Sequence, residues 1–379
     1  MWSARYPFLA GAGGSENYTA GHVRELLRRG IPSRIIVVGH EASISQQDFP
    51  DIPFLALKDA AELQDLDDTL IFVTYPLDVT TKKQSYAILH CPPPAYARGD
   101  RQYDLKAFRG KKLIAASRFS GGLWRRHLRG MSGRMSVVYP FASPAFAAAK
   151  RPGRAPGSRR KILFAGRLTP DKGIYTLMAS LHMDAFKGID YELAVTTAGA
   201  HTEEGRIVHE LVKAHPLIKV VPACKDAVSM AKLMAQYDVV VMPSTDIFWQ
   251  ELFGIVSVEA QHAGCRVVAS RSGGLPETNV GGLLLVQPDN PKALAGGIVK
   301  ALQLGPLSSR ERAQAAKQFT LESSVDALLK TIRYNGENLP HERPRGRRQT
   351  VLQHLRPRLA MSRAGALGTI GTFRPRTYR

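Results

Sequence analysis

Glu251-Leu252-Phe253-Gly254-Ile255-Val256-Ser257-Val258-Glu259 sets two carboxylates on either side of a Phe-Gly turn that opens a helix. Upstream, Gly166-Arg167-Leu168-Thr169-Pro170-Asp171-Lys172-Gly173 follows an apolar strand and carries two cations. Amides at a helix start and nearby cations bind phosphate oxygens, while carboxylates accept hydrogen bonds from hydroxyls. A nucleoside diphosphate joined to a sugar offers both kinds of group. Gly254 lets the backbone approach closely, so the Gly254 and Ile255 amides are aimed at the diphosphate. Arg167 and Lys172 would stabilise charge growing on a departing diphosphate, the task a metal ion performs in other transferases. No Asp-X-Asp triplet is placed to hold a metal, so neither metal nor cofactor is expected. Glu259 sits among Val256, Val258 and Ala260, which reads as a buried, partnered carboxylate rather than a solvated helix residue. The bland alternative for Arg167 and Lys172 is surface charge in a turn; their place at the carboxyl end of a strand favours a site.

Apolar runs alternate with helical segments throughout, the pattern of doubly wound α/β domains. In the first half Arg34–Val38, Leu70–Val73, Ala87–His90, Leu113–Ala116 and Val137–Tyr139 read as buried parallel strands, with helices over Ser15–Arg29 and Gly121–Leu128. Lys150 to Arg160, rich in Pro, Gly and Arg, reads as a linker. Six further strands follow: Ile162–Ala165, Glu192–Val195, Lys219–Val221, Asp238–Met242, Arg266–Ala269 and Leu283–Val286. The expected organisation is an N-terminal Rossmann-like acceptor domain over 1–149, a linker over 150–160, a C-terminal donor domain over 161–318, a crossover helix over 319–338 and a tail over 339–379. Two such domains place the carboxyl ends of their strands around one cleft.

With 379 residues, 44% of them hydrophobic and 22% charged, the composition is that of a soluble globular protein of two ordinary domains. No apolar run approaches the roughly 18 residues that span a bilayer, and the opening residues do not read as a secretion signal. A cytoplasmic protein is expected. Cys91, Cys224 and Cys265 lack paired spacing, which argues against a disulfide framework or a zinc site. The formal charge is +20, and ten arginines stand against Glu342 alone in Leu339–Arg379. That stretch is expected to be largely irregular, with at most a helical turn over Thr350–Leu355. It and the basic first half suit an anionic membrane surface or phosphorylated acceptors. Nucleic acid is disfavoured as a partner, because Phe373 and Tyr378 are the tail's only aromatics.

In their order along the chain, Gly13-Gly14, Gly166-Arg167-Leu168 with Lys172-Gly173, Met242-Pro243-Ser244, Glu251…Glu259 and Ser272-Gly273-Gly274-Leu275-Pro276-Glu277 resemble the motifs of retaining family 4 glycosyltransferases. The resemblance covers roughly Gly11 to Tyr334. It implies the GT-B architecture, an α/β fold of two facing Rossmann-like doubly wound domains, and the transfer of a hexose from a UDP- or GDP-linked sugar. It also implies a saccharide acceptor, which could be lipid-linked and belong to cell-envelope or exopolysaccharide synthesis. Glu259 would take the ribose hydroxyls and Glu251 a hydroxyl of the sugar, with Ser244, Phe253, Gly254 and Ile255 beside the donor. Gly13 and Gly14 resemble the family's glycine-rich loop, and His90, followed by Cys91-Pro92-Pro93-Pro94, its cleft histidine; a purely structural histidine remains an even alternative. The family usually begins with an apolar strand, and here Met1–Leu9 holds Arg5 and Pro7, so that strand is shortened or missing, or the start lies upstream of Met1. The rival class is a basic membrane- or nucleic-acid-binding protein with a vestigial sugar site.

Overall fold

The computed structural model describes residues 8–9, 14–93, 105–128, 135–153, 157–246 and 250–333. The expected tail, Gly13 and the opening segment through Pro7 therefore lie outside the described residues. In the first half β1 (Ile35–Val38) pairs with β2 (Phe54–Leu57), and β3 (Ile71–Val73), β4 (Ser85–Leu89), β5 (Lys111–Ala115) and β6 (Ser136–Val137) form a second sheet in that order. In the second half β7 (Arg160–Phe164), β8 (Tyr191–Thr196), β9 (Ile218–Val221), β10 (Val239–Met242), β11 (Arg266–Ser270) and β12 (Leu283–Val286) make one six-stranded sheet, ordered β12-β11-β10-β7-β8-β9. Every pairing is parallel, for instance Ile162 opposite Val239 and Phe164 opposite Val241.

Strand alternation sorts the core. Ile162, Phe164, Val239, Val241 and Val268 point to one apolar layer, and Leu163, Val240, Val267 and Ala269 to the other. Both faces are covered, which is why these strands read as unbroken Val, Ile and Leu runs. The first half is built the same way, with Ile36, Phe72, Ala87 and Leu113 in one layer. Its two sheets share no strand pairing among the described residues, but Phe8 is fully buried in a cluster that holds Ile35 and Val37 of β1 and Val73 of β3. Phe8 stacks at 4.9 Å from Phe49 and 5.9 Å from Phe54.

The segment with linker composition is pinned at its start. Arg312 donates to the carbonyls of Phe146, Ala147 and Ala149 at 3.0, 2.8 and 2.5 Å, and Arg151 donates to Tyr237 O at 2.8 Å. The final described helix, Leu321–Ile332, has its apolar stripe at Val325, Leu328 and Ile332 and lays part of it against Tyr86, Ile88 and Ile114 of the first half. Ser324 on that helix donates to Tyr139 O at 2.7 Å, and Arg29 pairs with Asp326 at 2.5 Å. No described helix is long and apolar enough to cross a membrane.

Candidate functional site

The adjacent strands β7 and β10 deliver the central pair of charges. After β7 the chain turns through Thr169–Gly173, where Gly173 has φ +73°, and a Cβ there would lie 1.8 Å from Pro243 O. Only glycine fits such an approach. The turn is thereby seated on the end of β10, and Thr245 N donates to Asp171 O at 3.0 Å. Lys172 Nζ then donates to Glu251 Oε1 at 2.5 Å and stands 3.4 Å from Asp171 Oδ2, with Lys172 and Glu251 only 15% and 16% exposed. Ser244 Oγ, itself buried, reaches Glu251 Oε1 at 3.4 Å. Arg167 leaves the same end of β7 exposed, on a loop held by Leu168 N donating to Ala198 O at 2.7 Å.

Gly254, at φ +88°, opens the Ile255–His262 helix, and no side chain caps it. Its first amides are left for an outside acceptor. The helix is fixed from behind by Gln261, which donates to Thr278 O at 2.9 Å and accepts from Gly282 N at 2.9 Å. Phe253 is 4% exposed, and its ring packs against Tyr139 and Phe319 at 5.5 and 5.2 Å and not into solvent. Glu259 is partly buried, and burial pushes its carboxyl up to about 7. The sequence reading expects a buried, partnered carboxylate; no hydrogen bond or ion pair to the Glu259 carboxylate occurs among the described residues.

In the first half, Gly14 begins the Gly14–Arg28 helix, and His90 directly follows β4. Both His90 ring nitrogens are buried with no hydrogen-bond partner, and the Tyr18 ring meets the imidazole edge-on at 4.5 Å. Burial, and then the neighbouring His22, hold His90 down to about 3, so the ring is neutral and can donate once and accept once. Trp124 Nε1 donates to Cys91 O at 2.9 Å and fixes the loop after it. The three cysteines are free, Cys265 buried and Cys91 and Cys224 partly so.

Residues 159–304 match the family model of glycosyl transferases group 1. This stretch is a glycosyl transferases group 1 domain. Over 111 residues the chain is 38% identical to the D-inositol 3-phosphate glycosyltransferase of Mycobacterium ulcerans, covering 27% of this chain and 23% of that relative. The chain thus spans about a quarter of that curated relative's length. Among solved structures, the glycosyltransferase from Rickettsia africae ESF-5 is similar at TM-score 0.66 and 18% identity, over 85% of this chain and 95% of that one. Anabaena Alr3699/HepE, solved in complex with UDP, is similar at TM-score 0.63 and 18% identity, over 86% and 98%. These likenesses show the GT-B fold.

The group 1 domain gathers Lys172, Ser244, Glu251, Gly254 and Ile255 at the carboxyl ends of its strands; His90 belongs to the other sheet. Sequence reasoning missed three features. Thr169 and Thr245, flanking the Lys172 turn, hold buried hydroxyls without hydrogen-bond partners among the described residues. Glu16, in the first turn of the Gly14–Arg28 helix, is 9% exposed, and burial raises its carboxyl. Glu277 of the Gly-Gly-Leu-Pro-Glu run bonds to the first half, a contact whose partner lies 159 residues away and leaves no local signal.

Proposed function

We propose that the protein is a retaining, metal-independent glycosyltransferase that moves a hexose from a UDP- or GDP-linked sugar to a saccharide acceptor. The observation that carries this reading is the assembly at the end of β7 and β10: the Lys172–Glu251 pair, an uncapped helix start at Gly254 and an unpartnered Glu259. Each answers one part of a nucleotide sugar. Lys172, Arg167 and the Gly254–Ile255 amides face the diphosphate, where charge grows as the sugar leaves. Glu259, once ionised, accepts from the ribose hydroxyls, and Glu251, already oriented by Lys172, accepts from a sugar hydroxyl. Neutral His90 bonds the sugar from the opposite wall. UDP in the similar Anabaena structure supports the donor class.

Transfer proceeds on one face of the sugar. The bond from the anomeric carbon to the phosphate oxygen breaks, the acceptor oxygen bonds to that carbon, and the acceptor's proton passes to the leaving phosphate oxygen. No protein nucleophile is required in this route. The acceptor is lipid-linked and met at the inner face of a membrane, a reading supported by the +20 charge and by the arginines after Leu339. The purified protein, screened for hydrolysis of UDP- and GDP-sugars with and without EDTA, tests the proposal. It should cleave one donor class at equal rates in both conditions. Cleavage of none, or activity lost to chelation and restored by magnesium or manganese, would overturn it.

A further inference from the structure

The Arg118–His127 helix begins on a Ser117 cap that faces the second half. Its first amides do not meet solvent. Arg118 N and Phe119 N donate to Glu277 Oε2 and Oε1 at 2.9 and 2.8 Å, so one carboxylate from the group 1 domain receives both. The same carboxylate accepts from Tyr139 Oη at 2.8 Å and lies 3.4 Å from Arg118 Nε, with Glu277 13% exposed. Ser117 Oγ donates to Leu252 O at 2.5 Å. An anion at a helix start is favoured by the aligned peptide dipoles and by charge-assisted bonds. Here the anion comes from the other sheet, 158 residues along the chain.

The grip reaches the donor loop through two residues of backbone. Leu252, which Ser117 holds, lies between Glu251 and Phe253, and Gly274 N donates to Glu251 O at 2.7 Å. The loops 251–254 and 272–277 are thereby tied to each other, and both are bonded to the first half. Burial, followed by the Glu277 carboxylate, pushes the Tyr139 hydroxyl up to about 12, so it remains a donor at working pH. Tyr139 also accepts from Ser324 of the last helix through its carbonyl at 2.7 Å. Three separate segments meet at that one residue.

We propose that Glu277 is a positioning residue: by capping the Arg118–His127 helix across the cleft, it holds the first-half wall at its working distance from the Glu251–Gly254 loop. This rests on the functional reading above. Loss of the cap should leave nucleotide affinity intact, because the nucleotide sits on the second half alone, and should lower the rate of donor cleavage, which needs both walls. A merely structural residue would instead affect affinity and turnover together.

Glu277→Ala and the milder Glu277→Gln would be compared with the unaltered chain by amide hydrogen exchange, UDP titration and UDP-sugar hydrolysis. We expect faster exchange at Arg118 and Phe119 with unchanged exchange in β7 and β10, a UDP dissociation constant within about twofold, and kcat lowered about tenfold in Glu277→Ala, with Glu277→Gln between. Unchanged exchange at Arg118 and Phe119 in both variants would overturn the proposal, as would UDP affinity that falls in step with kcat. Should the unaltered chain cleave no donor, the functional reading fails, while the exchange of those two amides still decides whether Glu277 holds the halves together.

Discussion

The two walls of the cleft are built to different degrees. In the group 1 domain one uninterrupted sheet brings Lys172, Ser244 and Glu251 into contact, and the charges are already in order before any ligand arrives. Among the described residues the first half has two sheets with no strand pairing between them, and no protein group bonds to the two buried nitrogens of His90. The difference teaches where binding and selectivity are expected to reside. On the proposed reading Lys172 of the pre-organised pair would serve the part shared by all donors, the diphosphate, while Glu251 and the unsatisfied His90 would meet the sugar.

Lys172→Ala should produce the largest effect. A contact acting on transition-state charge contributes about 2.7–4 kcal/mol, so donor hydrolysis should drop by about two to three orders of magnitude. Glu251, left partly buried without its cation, costs stability as well, about 1–3 kcal/mol. Turnover within about threefold of the unaltered chain, with the melting temperature lowered, would reduce the pair to a structural tie and erase the contrast between the walls.

Glu259 should come next, and its effect depends on pH. Burial raises its carboxyl from 4.5 to about 7, so the folded protein holds a proton that the unfolded chain releases across that window. The sign follows: stability in the absence of ligand declines as pH rises from 4.5 to about 7 and is level above it. If the ribose needs the ionised form, UDP binding strengthens over the same window, by up to about tenfold per pH unit below the midpoint. Glu259→Gln should bind UDP weakly and lose this part of the pH dependence, keeping only that of the phosphate itself. An identical pH profile in the variant, measured by calorimetry, would remove Glu259 from the nucleotide site.

His90→Gln should have a smaller effect, since a neutral hydrogen bond contributes about 0.5–1.5 kcal/mol. Hydrolysis should fall about three- to tenfold, and no protein hydrogen bond is lost in the process. Selectivity among sugars at constant UDP affinity would sharpen the comparison; equal loss for UDP and UDP-sugar would weaken it.

The smallest effect on chemistry is expected from deleting residues 340–379. Donor hydrolysis should stay within about twofold, while sedimentation with anionic vesicles declines, as each arginine near such a surface adds about 1 kcal/mol at low salt. Equal vesicle binding by both forms would place membrane affinity elsewhere, and preferential salt-sensitive binding of nucleic acid would favour the rival class.

The same contrast governs how much could be read from sequence. All six strands of the group 1 domain were legible: the central ones are buried on both faces as continuous apolar runs, and the edge strands β9 and β12 keep apolar residues that pack on the same layers. Phe54–Leu57 was not: it follows Pro53 directly and runs on into Lys58-Asp59-Ala60-Ala61-Glu62-Leu63, so no break marks its end in the sequence. Gly254 was legible as a turn position, and its positive φ bears this out; Gly173, quoted only within its motif, has a positive φ as well. Glu259 showed its burial through its apolar neighbours, while the absence of a protein partner for its carboxylate among the described residues depends on what the fold brings near it. Phe253 looked like part of the donor loop, yet its ring answers to Tyr139 and Phe319, residues distant in the chain. Glu277 gave no sign of its reach, since the helix it caps belongs to the other sheet.

Calorimetric titration of UDP and GDP into the unaltered protein and into Lys172→Ala, both in EDTA, tests the central claim most directly. One nucleoside diphosphate should bind the unaltered chain, and its affinity should fall at least about tenfold in the variant, as expected for a charge-assisted contact to phosphate. No binding of either nucleotide to the folded protein, or equal affinity in the two forms, would contradict the account.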